Sequence, residues 1–240
     1  MLSRVDILNV FFPPQCVNCG KWGTWLCPTC LGQVKPSLPE CYVCRRLSFN
    51  YLTHKHCLSL ENPVEQAYVL YRYNKITAKL MWKFKGDGSY RLARFIINTF
   101  IKPFEKDLNA LLQSSCLVPI PTHRNRFSSR GFSQMAALSH ELINAFNFPA
   151  GNLLGNVLIS TQKEHQAKLS RYARLHEKSK FVLNPHADFF RVKNCKNIVI
   201  FDDVMSTGST VNNAAVILKK IFPEHTIKAL VLFRGKPYWK

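Results

Sequence analysis

Three Cys-x-x-Cys pairs constrain this chain more than any other feature: Cys16 with Cys19, Cys27 with Cys30, and Cys41 with Cys44. A two-residue gap lets both thiolates of a tight turn point at one ion while the turn's backbone N–H groups face the sulfurs. Two such pairs complete a tetrahedral structural zinc site. The run Cys16-x2-Cys19-x7-Cys27-x2-Cys30 therefore predicts a first site. His54-Lys55-His56-Cys57 supplies the remaining corner of a second, because His54 and Cys57 repeat the two-residue gap. At that corner His56 is the alternative ligand, or the corner is free of metal. Four protein ligands leave no open coordination position, so zinc here is structural. A ribbon of roughly 45 residues has little core, and metal binding is expected to supply most of its folding energy. Cys116 and Cys195 sit alone beside apolar runs and read as buried structural thiols.

Hydrophobic residues make up 47% of the 240, enough to bury a core and to exclude a disordered chain. No apolar run approaches the ~20 residues of a membrane helix. Asp6 and Asn9 interrupt the place where the apolar centre of a secretion leader would sit, so a cytoplasmic protein is expected. Lys and Arg number 33 against 14 acidic residues, and the net charge of +19 is spread along the whole chain. A basic body, as opposed to a basic tail, favours polyanionic partners such as nucleic acid or phosphorylated metabolites.

Residues 31–40, with Pro36 and Pro39, read as a link between two ribbons. Asn62-Pro63 marks the boundary between a zinc-ribbon domain, residues 1–62, and a second domain, residues 63–240. In the latter, residues 69–73 alternate like a strand. A helix over 76–84 then places Ile76, Leu80 and Phe84 on one face and Lys75, Lys79 and Lys83 on another. Like charges four apart cost a few tenths of a kcal/mol each, so that stripe faces an anion or is solvated. Gly86-Asp87-Gly88 ends the helix, and a helical period resumes over 91–104 until Pro103 interferes. Met81 and Trp82 read as core.

From residue 116 a strand, loop, helix pattern repeats. Residues 116–120 form a short apolar strand, followed by a polar loop to Gly131. An amphipathic helix over 132–146 points Phe132, Ala136, Leu142, Ile143 and Phe146 inward. The β-branched run 197–201 suits a central parallel strand. A helix over 211–222 aligns Val211, Ala215, Leu218 and Phe222, and 227–233 is another buried strand. Alternating strands and helices predict an α/β fold with a mostly parallel sheet.

The stretch Ile198-Val-Ile-Phe-Asp202-Asp203-Val-Met-Ser206-Thr207-Gly208-Ser209-Thr210 carries the chemistry. A buried strand delivers two adjacent carboxylates to its C-terminal edge, where open α/β sheets bind ligands. A hydroxyl-rich turn with Gly208 then opens a helix, whose N-terminus attracts anions. Carboxylates beside such a phosphate cradle would repel the phosphate unless they bind sugar hydroxyls or a magnesium complex. A phosphate and a vicinal diol about five atoms apart describe ribose 5-phosphate.

This run resembles the phosphoribosyl-pyrophosphate (PRPP) motif of type I phosphoribosyltransferases. The order of Tyr71-Arg-Tyr73, Lys83-Phe84-Lys85-Gly86-Asp87, Pro119-Ile-Pro121, Arg124-x-Arg126-x3-Arg130-Gly131-Phe132-Ser133-Gln134 and Gln166-x2-Leu169-x4-Arg174, behind the Cys ribbons, resembles the ComF family of competence-associated proteins. His54, Ser133 and Glu177 depart from the family pattern, and none touches the PRPP motif.

The resemblance implies a type I phosphoribosyltransferase-like parallel sheet flanked by helices, with a small N-terminal zinc-ribbon domain. By similarity, Asp202 and Asp203 are the catalytic pair that hold the ribose hydroxyls with Mg2+, and Ser206, Thr207, Gly208, Ser209 and Thr210 bind the 5-phosphate. His123, Arg124, Arg126 and Arg130 are candidates for the pyrophosphate. Arg171, Arg174 and Lys178 recur at helical spacing as a lid, a DNA-contacting face or a solvated face. The expected function is that of a competence protein in natural transformation, binding PRPP and handling incoming single-stranded DNA, with other competence or DNA-processing proteins as further partners. A metabolic phosphoribosyltransferase with an unidentified acceptor, and a regulator that senses PRPP, are the alternatives.

Overall fold

In the computed structural model, residues 13–121, 133–161, 180–193 and 195–235 are described. Strand β1, Val64–Arg72, begins five residues earlier than the alternation indicates, because its first half is buried on both faces and does not alternate. Asn74 caps helix α1, Lys75–Asp87, in a reciprocal box with Thr77, and Gly88 closes it in the left-handed region at φ 59°. Helix α2, Tyr90–Ile96, passes through a π-turn, Ile97–Ile101, and a 3-10 turn, Lys102–Phe104, into helix α3, Glu105–Gln113. Pro103 thus opens the next helical segment instead of stopping the last, since its missing N–H costs nothing in a first turn.

Strand β2, Ser115–Pro119, leads through residues outside the described set to helix α4, Gln134–Phe146. In α4 the inward residues are Met135, Ala137, Leu138 and Leu142, while Ala136 is exposed, which corrects its expected place. Strands β3, Leu158–Ser160, and β4, Phe181–Leu183, form a short antiparallel pair whose three-residue length left no periodicity to read. Strand β5, Asn197–Met205, helix α5, Ser209–Ile221, and strand β6, Thr226–Arg234, complete the chain.

The four long strands make one parallel sheet in the order β1-β6-β5-β2. Helices flank it, so the α/β class and parallel sheet expected from the sequence are what the chain adopts. Alternate residues feed two cores. Leu70, Leu117, Val199, Phe201 and Leu230 face α1, α2 and α4 through Leu80, Phe84, Ile96 and Leu138. Val69, Val118, Ile198, Ile200 and Val231 face α5 through Val211, Ala215 and Leu218. Met81 joins the first core, but Trp82 is 81% exposed, one residue and about 100° further round α1.

The Cys-rich segment packs onto this body. Cys16, Leu26, Cys27 and Cys30 share the first core, and Tyr42 shares the second. Residues 35–37 run antiparallel along β1: Arg72 N donates to Lys35 O, Ser37 N donates to Leu70 O, and Pro36 bridges Tyr71. The stretch read as a link therefore covers the open edge of the sheet. Cys116 and Cys195 are joined as a disulfide across a Cα–Cα distance of 5.6 Å. Parallel pairing of Ser115 with Asn197 brings them together, a contact that their separate apolar runs do not reveal. Among the described residues, no helix is long and apolar enough to cross a membrane.

Candidate functional site

Strand β5 carries Asp202 and Asp203 to the C-terminal edge of the sheet. Asp202 is 7% exposed, and its Oδ1 accepts the N–H of Asp203 at 2.9 Å. Burial, reinforced by the charge of Asp203, pushes the Asp202 carboxyl well above the usual carboxylate range. Asp203 instead has a cation of its own: Lys85 Nζ lies 2.6 Å from its Oδ2.

Beyond Met205 the chain turns through Ser206, Thr207 and Gly208 into α5. Gly208 sits at φ 87°, and a Cβ there would come within 3.3 Å of Tyr42 Cδ2, so both the turn and its packing favour glycine. Thr207 Oγ1 accepts the Ser209 N–H at 3.3 Å. Gly208, at the N-cap position of α5, has no side chain to cap the helix, so the positive end of the helix faces the turn. Asp202, Val204, Met205 and the residues from Ser206 to Val211 line a recess of about 190 Å³. The structure thus brings Asp202 and all five cradle residues named from the sequence to the recess, while Asp203, next to Asp202 in the strand, is paired with Lys85 and is not among the lining residues. Lys180 adds a cation not foreseen, with Nζ 3.0 Å from Ser209 Oγ.

The second Cys-rich turn closes one side of the recess. Tyr42 OH donates to Asn212 Oδ1 at 2.9 Å, and Asn212 Nδ2 donates to the Glu61 carbonyl at 2.6 Å. Arg45 donates to the Ser206 carbonyl. At the end of β6, Arg234 Nε pairs with Glu40 Oε1 at 2.6 Å, and its Nη2 donates to the Tyr42 carbonyl at 3.3 Å. None of Glu40, Tyr42, Arg45 or Arg234 has a signal in the sequence, because the partners are more than 150 residues apart.

Both metal groups assemble. The ligand atoms of Cys16, Cys19, Cys27 and Cys30 lie within 4.8 Å of one another, as do those of Cys41, Cys44, His54 and Cys57. Burial pushes the Cys16 thiol up, but backbone N–H donors of the turn outweigh it and bring it down to about 6. The N–H of Cys27 points at Cys16 Sγ from 3.5 Å. At the second group, His54 Nε2 lies 3.1 Å from the Leu47 carbonyl, which can only accept. His54 Nδ1 is then the unprotonated nitrogen, 3.2 Å from Cys44 Sγ. His54 thus belongs to the group, and His56 stacks on its ring at 5.3 Å. Soft thiolates with one imidazole, two-residue gaps and hydrogen bonds to the ligands fit zinc at both sites.

No family model matches the chain. Competence protein F of Haemophilus influenzae is 26% identical over 222 residues, which cover 88% of this chain and 93% of that protein. Competence protein ComFC of Bacillus subtilis is 25% identical over 222 residues, covering 88% and 84%. The chain is thus similar to two competence proteins over most of its length.

The basic residues singled out in the sequence divide into two sets. His123, Arg124, Arg126, Arg130, Arg171, Arg174 and Lys178 lie outside the described residues. The lysine stripe of α1 is described: Lys75 and Lys79 are exposed, and Lys79 and Lys83 also reach the first Cys-rich segment. Lys79 Nζ donates to Asn18 Oδ1 at 3.0 Å. Lys83 pairs with Asp87 at 2.8 Å and lies over the Trp25 ring at 5.6 Å.

Proposed function

We propose that this chain is a competence protein that binds PRPP in the recess at the end of β5 and handles incoming single-stranded DNA in the cytoplasm. One observation carries the ligand half: the strand that ends in Asp202 and Asp203 leads directly into a hydroxyl-rich helix start, and Asp202 shares a recess with it. An anion at the helix start and a diol at the carboxylates satisfy both groups at once, which a phosphate or a metal ion alone does not. The competence half rests on the names of the two relatives and on the net charge of +19.

In this reading, residues 13–62 form the zinc-ribbon part and the α/β body from Pro63 onward holds the ligand. Ser206, Thr207, Gly208, Ser209 and Thr210 bind the 5-phosphate. Asp202 and Asp203 hold the ribose hydroxyls and would help to hold Mg2+, which would supply neutralisation of the diphosphate charge. Asp203 shares its carboxylate between that role and Lys85. Arg124, Arg126 and Arg130 neutralise the pyrophosphate, with Arg171 and Arg174 as candidates for diphosphate or DNA contact. Loss of pyrophosphate from C1 passes through an oxocarbenium-like transition state that is stabilised by positioning and charge, so no covalent nucleophile is required.

Calorimetric titration with PRPP, with and without Mg2+, tests the ligand. Charge-assisted hydrogen bonds contribute about 1.5–3 kcal/mol each, so Asp202→Asn/Asp203→Asn should weaken binding at least ~100-fold and lower transformation. Unchanged PRPP binding in the double variant would refute the reading. The intact carboxylate pair also favours a second reading, transfer of ribose 5-phosphate to a metabolic acceptor. Pyrophosphate release in a screen of bases and amines would support that alternative.

A further inference from the structure

The first Cys-x-x-Cys turn and the third share one backbone hydrogen-bond pattern, and they differ at the residue that follows the second cysteine. Gly20 N donates to Cys16 O and Arg45 N to Cys41 O, both at 2.9 Å. Cys16 N donates to Lys21 O at 2.8 Å, and Cys41 N to Arg46 O at 2.9 Å. The residue after the second cysteine has a positive φ in both, 77° at Gly20 and 62° at Arg45. Gly20 adopts that conformation without steric cost and with open space around its Cα. Arg45 holds a long side chain where non-glycine residues are uncommon and strained. The turn by itself calls for glycine, so the reason for arginine lies in what its side chain reaches.

That side chain reaches the backbone of the turn whose residues line the recess. Its guanidinium donates to the carbonyl of Ser206, the residue that opens the hydroxyl-rich turn. Arg234 stands at the same corner, 7% exposed, with Nε on Glu40 and Nη2 on the Tyr42 carbonyl. Its Nη1 is buried without a hydrogen-bond partner. Burial lowers the Arg234 pKa, and the charge of Arg45 adds to that against the pull of Glu40. Two guanidiniums therefore meet beside one carboxylate at the positive end of α5, a corner whose charge an anion completes.

We infer that Arg45 is a phosphate-binding residue of this recess, taking the 5-phosphate of a phosphoribosyl compound with the guanidinium that also fixes the loop at Ser206. The inference rests on the phosphoribosyl reading of the recess and assigns it a ligand carried by the Cys-rich turn. The metal group then does more than stabilise its own ribbon. Cys44 immediately precedes Arg45, so the turn that gathers the sulfurs also sets where the guanidinium leaves the backbone.

The two roles of the turn give opposite signs in one variant. Arg45→Gly restores the residue that the first turn uses, so zinc content should stay at the wild-type value and the thermal midpoint should hold or rise. Affinity for ribose 5-phosphate should fall at least ~10-fold, the loss expected for one charge-assisted hydrogen bond, while affinity for Mg-pyrophosphate should not change. Arg45→Asn, which tolerates a positive φ, should behave alike, and Arg45→Lys should recover part of the affinity. Unchanged ribose 5-phosphate binding in Arg45→Gly would overturn the inference, as would loss of zinc in both Arg45→Gly and Arg45→Asn. If the wild-type protein binds neither ribose 5-phosphate nor PRPP, the phosphoribosyl reading itself falls.

Discussion

Lys85, in the last turn of α1, places its Nζ 2.6 Å from Oδ2 of Asp203 at the end of β5. This contact makes two neighbouring carboxylates unequal. Asp203 has a cation against it and 15% of its side chain exposed, whereas Asp202 is buried and accepts the backbone N–H of Asp203. Burial and the neighbouring charge hold the Asp202 pKa well above the unfolded value of about 3.9.

That asymmetry fixes a pH dependence. A carboxyl with a raised native pKa binds more protons folded than unfolded, so its contribution to stability falls as pH rises from about 3.9 through the raised value. Asp202→Asn should therefore stabilise the ligand-free protein at pH 7, on the order of 1 kcal/mol or roughly 2–4 °C in midpoint. The gain should vanish near pH 4. Thermal melts of both proteins at the two pH values check this, and a destabilised variant at pH 7 would contradict it.

Metal analysis of the purified protein should give about two zinc ions per chain, one for each group of four ligands. His54→Ala should reduce this to one, because His54 Nδ1 is the nitrogen turned towards Cys44. His56→Ala should keep both. Chelation should loosen residues 40–61 first, since that segment's hold on the recess passes through Tyr42, Arg45 and Glu61.

The bridge between Cys116 and Cys195 spans 79 residues of sequence. Closing a loop of that length stabilises by roughly 4 kcal/mol in the chain-entropy model. Metal-free, denatured and unreduced protein should then show seven titratable thiols of its nine cysteines. Cys116→Ala/Cys195→Ala should unfold at lower denaturant than the oxidised protein and together with the reduced one.

Binding of single-stranded DNA should weaken steeply between 50 and 200 mM salt, by about 300-fold or more if six phosphates are contacted. Changing Lys75, Lys79 and Lys83 together to Ala should lower affinity and the salt slope. It should also destabilise the fold by up to about 1 kcal/mol, because Lys79 and Lys83 hold Asn18 and Trp25 of the first ribbon. Affinity insensitive to salt would contradict the electrostatic reading.

The sequence alone determined what depends on neighbours a few residues apart. The two-residue gaps that gather thiolates, the continuous apolar runs of β5 and β6, and the adjacency of Asp202 to the turn at Gly208 are all local, and each reappears in the fold. Helix faces were legible within one position, as Ala136 shows, because a single register step moves a side chain by about 100°.

Only the tertiary structure decided the rest. Tyr42 meets Asn212 across 170 residues, Arg45 meets Ser206 across 161, and Cys116 meets Cys195 across 79. Each contact exists because the sheet runs β1-β6-β5-β2, an order that hydrophobic patterning does not encode. Burial of the shared cores selects that order, and with it the Cys-rich turns come to rest against both the sheet edge and the recess.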